Sequence, residues 1–277
     1  MTPPVAEKER VTTRDLELAE ALAAVKARLT AAAEAAGRHS DEIQLLPITK
    51  FFPATDVSIL HQLGCEDFGE SREQEATNKA GEVANLVGAA PIRWHMVGRI
   101  QRNKARSVAG WAYAAHSVDS VRLIEALDRA AAQATDGGDR TAPLRIYIQI
   151  SLDGDVQRGG VDVGDPESVD RVCAAAQGAD GLEFVGLMAI PPLGADPDEA
   201  FARLHSELER VQRTYPQRLE LSAGMSSDLE VAVKHGSTCV RVGTALLGQR
   251  PLTSPGVVTP VTSSSQTPER RSRRVER

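Results

Sequence analysis

The sequence predicts a single (β/α)8 barrel of parallel strands covered by helices, with one extra helix in front. Three observations lead there. Short, near-continuous apolar runs alternate with amphipathic stretches, and the alternation recurs every ~25 to 35 residues. The alternating region, 14–252 of 277 residues, also matches the ~250 residues usual for such a barrel.

Residues 14–37, RDLELAEALAAVKARLTAAAEAAG, carry Ala, Leu and Val at helical spacing and stop at a glycine, so they read as the leading helix. IQLLPIT then precedes an amphipathic stretch over 53–63. CEDFGE precedes 71–87, IRWHMVG precedes 100–109, and WAYAAHSV precedes 119–133. In the second half LRIYIQISL leads to 165–176, LEFVGLMAI to 198–213, and RLELSAGM to 227–234; TCVRVGTALLG closes the ring. A doubly wound open sheet is the competing arrangement. It lacks its glycine fingerprint, because Lys50-Phe51-Phe52-Pro53 stands after the first strand.

A hydrophobic content of 42% supplies a core without staples, and a formal charge of -6 offers no field to a nucleic-acid backbone. Cys65, Cys173 and Cys239 are widely spaced, which disfavours both a disulfide framework and a zinc site. The first residues, MTPPVAEKER, have no apolar leader core, and no run reaches the ~18 apolar residues of a membrane span. These features predict a cytoplasmic protein with no membrane or nucleic-acid partner. Residues 1–13 and the Ser/Thr/Pro/Arg-rich 253–277 have little to bury and are expected to be disordered.

Barrel chemistry collects where strands end, and a phosphate site frequently forms after strands seven and eight. Strand seven ends in LSAGMSSD, where Gly224, Ser226, Ser227 and Asp228 lead into a helix. Strand eight ends in RVGT, where Gly243 and Thr244 offer close approach and a hydroxyl. The pair reads as a phosphate cradle. Lys50 ends an apolar strand, whereas Lys8, Lys26, Lys79, Lys104 and Lys234 lie in the tail or on expected helices, where a solvated ammonium needs no explanation. An amine among apolar side chains is more readily the free nucleophile that condenses with an aldehyde; a snorkelling side chain is the plainer reading. An amine at one end and a phosphate cradle at the other fit pyridoxal 5'-phosphate (PLP). Arg241, two residues before Gly243, would donate to the ring nitrogen without protonating it.

The blocks LLPITKFFPATDVSILHQLGCEDFGES, IRWHMVGRIQRNK, VGLMAIPP and LSAGMSSDLEVAVKHGSTCVRVGTALLG resemble, in order, those of the pyridoxal phosphate homeostasis family, also called PROSC or YggS-like. That family is similar to the N-terminal barrel of alanine racemase, the type III fold of PLP proteins. The resemblance implies that Lys50 carries PLP as a Schiff base. It assigns Ser226, Gly243, Thr244 and Met225 to the phosphate and Arg241 to the ring nitrogen, and it faces His95 and Met188 towards the cofactor. Many relatives have Asn where this chain has Ser71, so Ser71 stays outside the assignment. The implied role is intracellular PLP homeostasis without established turnover; without the racemase domain that supplies much of the dimer contact in that fold, a monomer is expected, with PLP-dependent apoenzymes as candidate partners.

A racemase or lyase using Lys50 as base is the alternative. Racemisation needs a base on each face of the substrate carbon. Alanine racemases take the second from another subunit's C-terminal domain, and this sequence shows a polar tail where that domain would begin. A Schiff-base aldolase, and a scaffold whose Arg-rich tail binds a partner, are weaker readings.

Overall fold

The computed structural model describes residues 11–88, 90–155 and 157–250. The leading helix α1 (Thr13–Ala35) is followed by β1 (Gln44–Pro47), α2 (Ala54–Gln62), β2 (Asp67–Glu70), α3 (Glu73–Val87), β3 (Arg93–Met96), α4 (Ala105–Trp111), β4 (Ala114–Val118) and α5 (Val121–Asp136). The second half runs β5 (Leu144–Ser151), β6 (Val161–Asp162), α6 (Pro166–Gln177), β7 (Leu182–Ala189), α7 (Pro197–Gln212), β8 (Glu220–Ser222), α8 (Leu229–Lys234), β9 (Cys239–Val242) and α9 (Thr244–Leu247).

Along the ring the strands lie in the order β1-β9-β8-β7-β5-β4-β3-β2, all parallel. The circle nearly closes where Ile48 bridges Gly69, and the Thr49 N–H donates to the Gly69 carbonyl at 3.0 Å. The barrel is the one expected; the open sheet is not. Closure places β1 directly beside β9, and β8 follows. The loops that carry Lys50, Gly224 and Gly243 therefore meet although they lie far apart in sequence.

Several boundaries differ from the expectation, each for a local reason. Thr12 caps α1 through the backbone of Asp15, so helix starts within the segment expected to be disordered. Residues 1–10 and 251–277 lie outside the described residues. Trp111 ends α4 instead of opening β4. The two-residue strand β6 has no counterpart in the sequence reading. It lies on β5 because Gly160 (φ +101°) packs against backbone, where a Cβ would stand 2.7 Å from the Ser151 nitrogen.

Helix α1 buries Leu18, Leu22, Val25, Leu29, Ala32 and Ala33 along one stripe, packed on α2, α8 and α9. It braces the first and last βα units from outside, and Arg14 adds a bond to Asp56 (2.6 Å) and one to the Leu247 carbonyl (3.1 Å). Barrel interiors are usually filled by branched aliphatic side chains. Here buried polar residues, His95, His116, Ser222 and Arg241, are held inside, with Tyr147 stacked on His116 at 4.3 Å between ring centroids.

Candidate functional site

A cavity of about 470 Å³ opens at the C-terminal ends of the strands, within the ~300–1,000 Å³ of small-molecule pockets. Lys50, Met225, Ser226, Arg241, Gly243 and Thr244 line it together. Six of the eight residues expected at the cofactor thus share one wall system.

Lys50 sits half-buried just beyond β1. The next residue, Phe51, has φ +71°, a left-handed conformation that a bulky aromatic residue adopts only when its surroundings hold it there. Its N–H donates to Glu75 at 2.8 Å. Its ring centroid lies 6.0 Å from the Lys50 ammonium, with the Arg250 guanidinium at 3.7 Å and the Arg72 guanidinium at 5.0 Å. Phe52 turns the other way, into the core under α1 and α2. The two phenylalanines therefore have separate tasks: one flanks the amine and the other anchors the loop.

Behind Lys50 the structure corrects the reading of Lys79 as a solvated helix residue. Lys79 is buried, and its ammonium donates to Glu70 at 2.6 Å and to the Thr49 carbonyl at 2.8 Å. Thr49 in turn donates its hydroxyl to Glu70 at 2.6 Å. Burial pushes the Glu70 carboxyl above the usual carboxylate range, against the pull of Lys79 and Thr49. A buried ion pair thus grips the backbone one residue before Lys50.

The two glycine-containing loops are joined by Ser226, whose hydroxyl accepts the Ala245 N–H at 3.2 Å. Gly224 (φ +91°) is required by the tight turn, since a Cβ there would meet the Ala232 Cβ at 2.5 Å. Gly243 differs from the expectation that a Cβ would obstruct the chain. One built there meets only Ile48, at 3.6 and 3.7 Å, so the open side of Gly243 is cavity. The helices after these loops, α8 and α9, are too short for a full macrodipole. The cradle rests on the hydroxyls of Ser226, Ser227 and Thr244 and on loop backbone.

Arg241 is 5% exposed, and no carboxylate pairs with it among the described residues. It donates to the Ser222 carbonyl and hydroxyl at 2.6 and 2.7 Å and to the Ala189 carbonyl at 2.9 Å. From Ser222 a buried chain crosses the barrel: His116 Nδ1 is 2.9 Å from the Ser222 hydroxyl, His116 Nε2 is 2.9 Å from His95 Nδ1, and His95 Nε2 is 2.9 Å from Asp67. Arg93 grips Asp67 with two bonds, at 2.8 and 2.7 Å. Burial resists the Asp67 charge, but Arg93 and His95 hold its carboxyl below the usual range. Burial lowers the pKa of His95 and lowers that of His116 further. Arginine only donates and an ionised carboxylate only accepts. With neutral rings every bond in the chain must therefore point from Arg241 towards Asp67.

His95 is thus a link in this chain rather than a wall of the cavity. Met188 packs with Tyr147, Val185 and Ala114. Neither is among the residues that line the cavity, where the sequence reading expected both to face the cofactor. Ser71, left out at the sequence level, does line it, as do Arg99, Ser117, Gln149 and Arg158. Gly98 holds Ser71 in place, because a Cβ at 98 would fall 2.0 Å from the Ser71 carbonyl oxygen. Gly98→Ala should cost ~1–3 kcal/mol or more in urea unfolding, since backbone rather than a flexible side chain must move. A loss under ~0.5 kcal/mol would show that the two loops can part freely.

Comparisons with known proteins agree with this geometry. A family model described as "Alanine racemase, N-terminal domain" matches residues 19–251. The pyridoxal phosphate homeostasis protein of Mycobacterium tuberculosis is 63% identical over 248 residues, covering 87% of this chain and 96% of that protein. The protein of the same name in Escherichia coli is 32% identical over 242 residues, covering 84% and 97%. Among solved structures, PipY of Synechococcus elongatus with PLP bound superposes with a TM-score of 0.71 at 33% identity, covering 83% of this chain and all of that one. Alanine racemase of Corynebacterium glutamicum superposes with a TM-score of 0.58 at 16% identity, covering 84% of this chain and 62% of the enzyme, a likeness of fold alone. The chain accordingly belongs to the alanine racemase N-terminal domain family and, within it, to the pyridoxal phosphate homeostasis proteins.

Proposed function

We propose that the protein binds PLP covalently through Lys50 and serves the cell's supply of that cofactor without turning over an amino acid. The observation that carries this reading is the convergence of Lys50, Arg241 and two hydroxyl-bearing loops on one cavity. Their chemistry fits the group: a primary amine for an aldehyde, hydroxyls for a phosphate, and an unpaired buried guanidinium for a ring nitrogen. When bound, PLP supplies an aldehyde open to amine addition and a ring that accepts electrons.

The chain's own residues favour holding over turnover. Arg241 remains charged, so it donates a hydrogen bond without giving up a proton. The described cavity lining contains Lys50 but no Asp, Glu, His, Cys or Tyr to act as a second base. Tyr147 hydrogen-bonds Glu220 below the cavity, and Tyr215 packs edge-on against Phe184. Cys65, Cys173 and Cys239 are free thiols and suit a reducing cytoplasm, and among the described residues no helix is long and apolar enough to cross a membrane.

Borohydride reduction of cofactor-loaded protein, followed by peptide mapping, tests the reading. The pyridoxyl mass should sit on the Lys50 peptide, and Lys50→Ala should lose the visible absorption band. A label on another lysine, or none, would overturn it. Exchange of amino-acid α-hydrogens in deuterated water at a catalytic rate, abolished by Lys50→Ala, would instead establish a racemase or lyase.

A further inference from the structure

The mouth of the cavity carries charge that the cofactor contacts do not use. Arg99 lines the cavity beside Lys50 and also the hollow on either side of it. It shares one, of about 340 Å³, with Ser71 and Arg72, and the other, of about 500 Å³, with Arg102 and Arg122. These four arginines are exposed, and their guanidinium groups make no ion pair or hydrogen bond with another described residue; that of Arg72 lies over the Phe51 ring at 5.0 Å. Their neighbours are occupied: Lys104 pairs with Glu73 at 3.0 Å, and Arg158 pairs with Asp153 at 3.3 Å and donates to the Pro191 carbonyl at 2.8 Å. A chain of net charge -6 thus sets these arginines along three hollows that share Arg99, with the carboxylates of Glu73 and Asp119 also in their walls. The loop between β7 and α7, whose Ile190 lines the cavity, shows apolar surface, with Ile190 40% and Leu193 97% exposed.

We propose that this rim docks the acidic surface around the cofactor pocket of a recipient protein, so that PLP passes mouth to mouth. The proposal rests on the function inferred above. Arginine forks match carboxylates in paired bonds, and rim charges steer encounter. Exposed leucine and isoleucine supply the apolar contact that a protein partner buries and a phosphate backbone does not. The overall negative charge also repels a polyanion at long range. In the transfer, the recipient's lysine takes the carbon that Lys50 releases. One carbon–nitrogen double bond would form as the other breaks, the two hydrogens lost by the incoming amine nitrogen would end on the Lys50 nitrogen, and no oxidant or reductant would be consumed.

The test uses cofactor-loaded full-length protein and the apo form of a PLP-dependent enzyme with an acidic pocket entrance. Recovery of that enzyme's activity reports transfer, and an excess of a small amine trap reports spontaneous release. Wild-type transfer should outrun release. It should slow at least ~10-fold at high salt or in Arg102→Glu/Arg122→Glu, and should fall in Leu193→Asp, while loading and release stay unchanged. Transfer no faster than release, or indifferent to salt and to these substitutions, would overturn the proposal. So would tighter binding to a single-stranded RNA probe than to the acidic recipient. Failure to load at all would sink the Lys50 site first, and docking with it.

Discussion

Lys79→Ala should destabilise the protein by about 3–5 kcal/mol in urea unfolding, because it strands the Glu70 carboxylate in the core. Glu70 is fully buried, and its Oε2 has no partner even with Lys79 present. The deficit should depend on pH in a fixed direction. Burial raises the folded pKa of Glu70 above its ordinary 4.5, so its stabilising contribution is present below that value and is lost as pH rises through the folded pKa. Removing Lys79 raises the folded pKa further. The variant should therefore regain stability relative to wild type as pH falls from neutrality towards 4.5. Glu70→Gln in the same chain should recover most of the loss at neutral pH. A deficit below ~1 kcal/mol, flat with pH, would mean that Lys79 is solvated after all. Cofactor occupancy should fall with stability, since Lys79 also holds the Thr49 carbonyl next to Lys50.

The fate of Lys79 shows where sequence reading ran out. Helical spacing places a lysine on α3 but does not say whether a buried carboxylate waits across the gap, and the Lys79–Glu70 contact exists only after β2 and α3 pack. The barrel itself was legible because its strands are buried on both faces and read as apolar runs. The convergence of Lys50, Ser226, Arg241, Gly243 and Thr244 on one cavity was legible because strand ends in this fold have a known function-bearing side. The Arg241–Asp67 chain was not. Its members come from β9, β8, β4, β3 and β2, and each looks like an isolated polar residue in its own strand. One local signal was present: AAHSV puts a histidine inside a strand of small residues, where only an interior partner makes it affordable.

His116→Leu should have an effect of similar size, because it interrupts that chain at its middle. It leaves the His95 Nδ1 and the Ser222 hydroxyl without their partners, and each orphaned buried group costs ~1–3 kcal/mol. The pH profile separates this loss from simple repacking. Both rings have folded pKa values below the ordinary 6.5, so the stability they contribute is present above that value and is lost as pH falls below it. Each ring can add up to ~1.4 kcal/mol per pH unit to the acid slope. The variant should therefore unfold with a shallower dependence than wild type as pH falls below 6.5. It should also bind PLP more weakly. Ser222 would lose the acceptor that fixes its hydroxyl direction, and with it one restraint on the Arg241 guanidinium. His116→Gln, which keeps a hydrogen-bonding side chain, should restore part of the affinity. An unchanged acid slope in His116→Leu would show that the ring does not titrate with unfolding, and unchanged PLP affinity would separate the chain from the cofactor site.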